Sequence, residues 1–189
     1  MSEQGGCLWK LFLSGDKAAF EQLMAQHFRH LVNYGTKFTN DKELVKDTIQ
    51  ELFIRFWEKR NNLSDEVNVR AYLTASLRRA LYRKIQSLSR FENYDEFESG
   101  VDFFDLEISV EAKLIEKENG KNIAYKIAQN LDELPKRQKE VVYLKFFQEL
   151  NREEIAEIMG ISLQTVSNLL QMAMKNLRTR IDRNMLLTN

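Results

Sequence analysis

The chain has one cysteine, one proline and seven glycines in 189 residues, and each scarcity excludes something. A lone Cys7 cannot build a disulfide framework or a cysteine-based zinc site. His27 and His30 stand three apart on a predicted helix without an evident third ligand. A solvated or half-buried pair is therefore expected there, and no metal site. The sequence contains no Gly-rich phosphate loop, nucleophile elbow, repeat or low-complexity tract. Its carboxylates lack a second motif that would single out an acid–base pair. Neither an enzyme nor a cofactor site is expected. No long apolar run and no N-terminal signal segment occur, which predicts a cytoplasmic chain with no membrane insertion. Long strand-like alternation is missing too. With so little Pro and Gly, and with Leu, Glu, Lys, Ala and Gln abundant, the expected fold class is all-α.

What is present begins with 43% apolar residues, enough for packed cores in one large domain or two small ones. The 28 basic and 28 acidic residues cancel, but unevenly along the chain. Residues 1–90 hold 15 Lys+Arg against 10 Asp+Glu, residues 91–120 hold 2 against 10, and residues 121–189 hold 11 against 8. Two basic blocks flanking an acidic strip predict a helical module over 1–90, a linker over 91–120 and a second helical module over 121–189.

The most informative stretch is NREEIAEIMGISLQTVSNLLQMAMKNL, residues 151–177. Asn151 and Glu154 have capping-box spacing ahead of an apolar run containing Ile155, Ala156, Ile158 and Met159. Gly160 stands where a turn needs a left-handed residue. Ser162 is a suitable N-cap for a second helix, whose Val166, Leu170, Ala173 and Leu177 recur at helical spacing. The other side of that helix carries Gln164, Thr165, Ser167, Asn168, Gln171 and Lys175, short polar groups suited to base edges in a major groove. This is a helix-turn-helix layout, and it also fits a plain helical hairpin with a solvated face.

The front module opens with a loose start over residues 1–6 and an apolar segment, Leu8 to Leu13, expected to dock on it. Helices are predicted from Lys17 to about Tyr34, with Gly35 breaking or fraying the end, and from Asn40-Asp41 to about Lys59. In the second of these, Leu44, Thr48, Leu52, Phe53, Phe56 and Trp57 form an aromatic stripe, while Asp47, Gln50, Glu51 and Ile54 fall on another side that a partner helix can use. After a polar connector, a helix over residues 69–87 carries Arg70, Arg78, Arg79, Arg83 and Lys84 with Tyr72 and Tyr82 among them. Cations follow phosphates and rings stack on bases, so this pattern suits a single nucleic-acid strand; it suits a solvated basic face with core tyrosines as well.

The acidic strip is expected to be a linker that docks by its apolar groups, with Phe103-Phe104 as an anchor. A helix from Lys121 to Leu134, ended by Pro135, and another over residues 136–150 precede the helix-turn-helix. Arg178, Arg180 and Arg183 end the chain in a basic helix.

In this order the pieces resemble the extracytoplasmic-function group of bacterial sigma factors, small two-domain members of the sigma-70 family. GDKAAFEQLMAQHFRHLVNYGTKF looks like the opening of that family's second region, DTIQELFIRFWEKR like its core-polymerase-binding helix and NVRAYLTASLRRALYRKI like its promoter-melting helix. LPKRQKEVVYLKFFQELNREEIAEIMGISLQTVSNLLQMAMKNLR looks like its fourth region. The resemblance implies a subunit that directs core RNA polymerase to promoter DNA and is held in check by an anti-sigma factor. Asp47, Gln50, Glu51 and Ile54 would meet polymerase. Asn61 and Asn62 of the connector, with Arg70, Tyr72, Arg78, Arg79, Arg83 and Lys84, would hold the opened minus-ten strand, a base flipped near the connector. Arg152, Ser162, Gln164, Thr165, Ser167, Asn168, Gln171 and Lys175 would meet the minus-thirty-five duplex, and the linker would pass through the RNA-exit path. One departure stands out: Ser167, Leu169, Met172 and Met174 occupy positions that are often basic in the family. The alternative is a sigma-derived protein that binds polymerase or an anti-sigma factor without reading the minus-thirty-five element; a regulator binding only duplex DNA is a third.

Overall fold

The computed structural model describes residues 3–91, 104–105, 130–131 and 133–186. Every regular element among them is helical: α1 (Glu3–Leu13), α2 (Lys17–Gly35), α3 (Lys42–Lys59), a 3-10 turn (Arg60–Asn62), α4 (Val69–Phe91), α5 (Lys136–Val142), a π-helical turn (Tyr143–Phe147), α6 (Arg152–Met159) and α7 (Leu163–Leu186). Two compact units result, one of Met1–Val101 with Glu157–Gly160, the other of Asp102–Ala156 and Ile161–Asn189.

In the first unit α1 packs on α2, and α2, α3 and α4 pack on one another. Trp9, Phe12, Leu23, Leu31, Tyr34, Ile49, Phe53, Leu73, Leu77 and Leu81 are sealed from water. The docking expected of the Leu8–Leu13 segment is met: Trp9 packs on Phe12 and Tyr72, and its indole N–H donates to the Ser64 carbonyl at 2.9 Å, tying α1 to the connector. The start of the chain is tighter than expected, because Glu3 to Gly6 already belong to α1. Asp16 caps α2 by accepting from the Ala19 N–H at 3.0 Å, and Asp41 caps α3 through Glu43 and Leu44. Gly35 does not break α2. It is the helix's last residue, buried where a Cβ would lie 2.5 Å from Val45 Cγ1 and 3.3 Å from Leu81 Cδ1. Its smallness serves close helix packing rather than chain reversal. The helix after the connector runs to Phe91, beyond the expected residue 87, and Asn68 begins it by accepting from the Ala71 N–H at 3.1 Å.

In the second unit α5 packs on α7. The helix expected over residues 136–150 ends early. After Val142 the turns widen, the Gln148 N–H donates to the Tyr143 carbonyl at 3.1 Å, and Glu149 takes φ 55°. That exit brings Leu150 into the core and leaves Phe146 and Phe147 exposed. Phe104 is buried, 5.7 Å from the Tyr143 ring, and Asp105 holds the buried Lys139 amine at 2.8 Å. The acidic strip thus anchors through Phe104, as expected of it. Phe103, most of the helix predicted from Lys121 and most of the strip lie outside the described residues, though Leu131 near that helix's end is buried as expected, and Arg183 has no described side chain.

Candidate nucleic-acid interface

The helix-turn-helix is capped at both starts. Asn151 and Glu154 form a reciprocal box: Glu154 N–H donates to Asn151 Oδ1 and Asn151 N–H to Glu154 Oε2, each at 2.8 Å. Gly160, at φ 63°, reverses the chain in the left-handed region. Ser162 Oγ then accepts from the Thr165 N–H at 3.1 Å and starts α7. Val166, Ala173 and Leu177 are buried, and so is Leu169. At 9% exposure Leu169 belongs to the core, which removes it from the positions where a cation was missed.

At about 100° per residue, Gln164, Asn168, Gln171 and Lys175 form one exposed stripe. Gln164 donates to Asn168 at 2.9 Å, so these amides are held before any ligand arrives. Thr165 and Ser167 are half-buried; Ser167 donates to the Leu163 carbonyl and accepts weakly from Arg152 at 3.4 Å. Met172 and Met174, 47% and 44% exposed, flank the stripe on opposite sides. Arg180 is turned away from it, ion-paired with Glu133.

In the first unit Asp47, Gln50, Glu51 and Ile54 are all exposed on α3, and Ile54 is 59% exposed on a helix whose other side is core. Asn61 and Asn62 are exposed in the 3-10 turn, which Arg60 steadies by lying 4.7 Å over the Trp57 ring. Arg79 and Arg83 are exposed; Arg70, Arg78 and Lys84 are half-buried. Tyr72 is also half-buried and packs against Trp9 and Phe56 at 5.8 and 5.6 Å, so much of its ring is spent on the core. Lys84 and Glu51, read separately as strand-holding and polymerase-facing, form one ion pair at 2.7 Å between α4 and α3. Beside them a cleft of about 140 Å³ is lined also by Arg55 and Arg83. The sequence reading missed Arg55, although its place one turn after Glu51 puts both on the same edge of α3.

His27 and His30 are half-buried, as expected. His30 Nε2 is 3.2 Å from Thr74 Oγ1, and burial, together with the Arg70 charge, holds the His27 imidazole below its ordinary value. Among the described residues no cluster of His, Cys, Asp and Glu could hold a metal ion, and no helix is long and apolar enough to cross a membrane.

The family model for sigma-70 region 2 matches residues 23–91, and that for sigma-70 region 4 matches residues 125–177, together well over half of the chain. The RNA polymerase sigma factor NccH of Alcaligenes xylosoxydans xylosoxydans is 28% identical over 82% of this chain and 82% of its own length. CnrH of Cupriavidus metallidurans, also an RNA polymerase sigma factor, is 25% identical over 89% of this chain and 90% of its own. A 65-residue stretch is 43% identical to sigma factor SigV of Bacillus subtilis, covering 33% of this chain and 39% of SigV. The fold matches CnrH in complex with the cytosolic domain of CnrY at TM-score 0.62 and 19% identity, over 94% and 97% of the two chains. It matches the sigma factor RpoE in complex with the anti-sigma factor NepR from Bartonella quintana at TM-score 0.58 and 17% identity, over 86% and 96%. Both sigma-70 regions, in family order and on the helices that carry the exposed polar faces, make this chain a member of the sigma-70 family, an RNA polymerase sigma factor of the extracytoplasmic-function group.

Proposed function

We propose that the module over residues 1–90 joins core polymerase to an opened strand, and that the module over 121–189 reads duplex DNA upstream. Asp47, Gln50, Glu51 and Ile54 meet polymerase. Arg70, Arg78, Arg79, Arg83 and Lys84 follow the phosphates of the minus-ten strand, and Asn61 and Asn62 stand where a base leaves the stack. Arg152, Ser162, Gln164, Thr165, Ser167, Asn168, Gln171 and Lys175 meet the minus-thirty-five duplex. The acidic strip over 91–120 suits the basic RNA-exit path. An anti-sigma factor is the natural inhibitor, as in the RpoE–NepR complex. The protein acts in the cytoplasm beside polymerase, and catalysis belongs to polymerase.

The observation carrying this reading is the exposed face of α3, where an apolar Ile54 stands largely in water among Asp47, Gln50 and Glu51. A regulator that touched only duplex DNA would have no use for it. Run-off transcription with purified core polymerase on a fragmented genomic template is the test: discrete, factor-dependent starts are expected. Polymerase binding without initiation would instead support a second reading, a sigma-derived protein that no longer reads the minus-thirty-five element. The exposed Met172 and Met174 beside a stripe whose first cation is Lys175 favour that reading.

A further inference from the structure

The cleft between α3 and α4 carries a charge imbalance that packing does not require. Leu52 and Ala80 line it with carbon, while Arg55 from α3 and Arg83 and Lys84 from α4 bring cations to it against the single carboxylate of Glu51. Lys84 is paired with Glu51 at 2.7 Å. Arg83, which also lines the cleft, donates from Nε to the Arg79 carbonyl at 3.2 Å. The Arg55 guanidinium makes no ion pair among the described residues. Like charges collected from two helices around one cleft repel, and one exposed carboxylate offsets little of that. Guanidinium forks and an ammonium converging on a small open space are matched by the oxygens of a phosphate.

We infer that this cleft binds one backbone phosphate of the opened strand, with Arg55 as a contact outside the α4 row, and that Glu51 holds Lys84 until the phosphate arrives. The inference rests on α4 as the strand-holding helix. It adds a competition: Glu51 and the phosphate vie for the Lys84 amine, so removing that carboxylate strengthens strand capture.

The test uses the full chain and a labelled single-stranded oligothymidylate, since a phosphate contact carries no sequence. Arg55→Gln is expected to weaken binding by roughly threefold or more and to flatten the slope of log K against log salt by about 0.7, one single-strand contact. Glu51→Gln is expected to tighten binding, a gain that disappears in Glu51→Gln with Lys84→Gln. Lys46→Gln, also on α3 but paired with Glu43 away from the cleft, serves as the control. The inference is overturned when Arg55→Gln matches Lys46→Gln, or when Glu51→Gln brings no gain. If Arg78→Ala with Arg79→Ala loses the oligonucleotide while Arg55→Gln keeps it, the cleft alone is wrong; if both keep it, α4 as strand holder falls too. Inorganic phosphate is expected to compete no better than chloride at equal ionic strength. Competition that vanishes in Arg55→Gln would make this a free-anion site and overturn the strand assignment.

Discussion

A methyl group placed on Gly35 would collide with Val45 and press on Leu81, where three helices converge. Gly35→Ala is therefore expected to destabilise the first unit by about 1–3 kcal/mol in urea unfolding, the usual cost of overpacking. His27 gives a pH dependence of definite sign. Its folded pKa lies below the ordinary 6.5, chiefly through burial, so between the two the unfolded chain binds the proton and the folded chain does not. The stability from neutral His27 is present above pH 6.5 and is lost as pH falls through the folded pKa. His27→Gln should flatten the fall in melting temperature over that acidic range. The two histidines were legible as a pair in the sequence; the Arg70 charge that bears on one of them was not, because 43 positions separate them along the chain.

Among the helices, α4 divides into a basic edge and a tyrosine that belongs mostly to the core. Replacing Arg78 and Arg79 together by Ala should leave duplex binding by the helix-turn-helix little changed and abolish strand opening, read by permanganate reactivity of unpaired thymines. Helix α5 depends on a residue from the acidic strip. Lys139 is almost wholly enclosed, and Asp105 is its ion-pair partner. Asp105→Ala should cost the second unit about 1–3 kcal/mol, measured by chemical denaturation, because a buried charged donor loses its acceptor. Helical periodicity located α2, α3 and α7 well, since each has a buried stripe and a recognisable cap. It overran α5, because the apolar residues Phe146 and Phe147 extend the pattern where the backbone widens and leaves the helix.

Across the chain, zero net charge coexists with a cation surplus in residues 1–90 and a carboxylate surplus in 91–120. Long-range attraction to DNA on this distribution is expected from both basic stretches, residues 1–90 and 121–189, with the larger surplus in the first. In the proposed upstream contact Gln164, Asn168 and Gln171 offer neutral amides, and Lys175 and Arg178 are exposed cations on that side of α7. Lys175→Gln is expected to lower the salt slope of promoter binding by about 0.9, one duplex phosphate, with most of the slope remaining. A larger loss in promoter-binding titrations would place more of the electrostatic grip on α7 than its composition suggests.

The all-α class, the helix-turn-helix and the order of α2, α3 and α4 were determined by local chemistry: caps, glycine at the turn and apolar spacing act within a few residues. Tertiary structure decided what depends on distant neighbours. It turned Leu169 inward, spent Tyr72 on Trp9 and Phe56, buried Lys139 against Asp105 and joined Glu51 to Lys84 across 33 positions of chain. Periodicity names a helix face, but only packing of separate helices settles which groups on that face meet each other and which meet water.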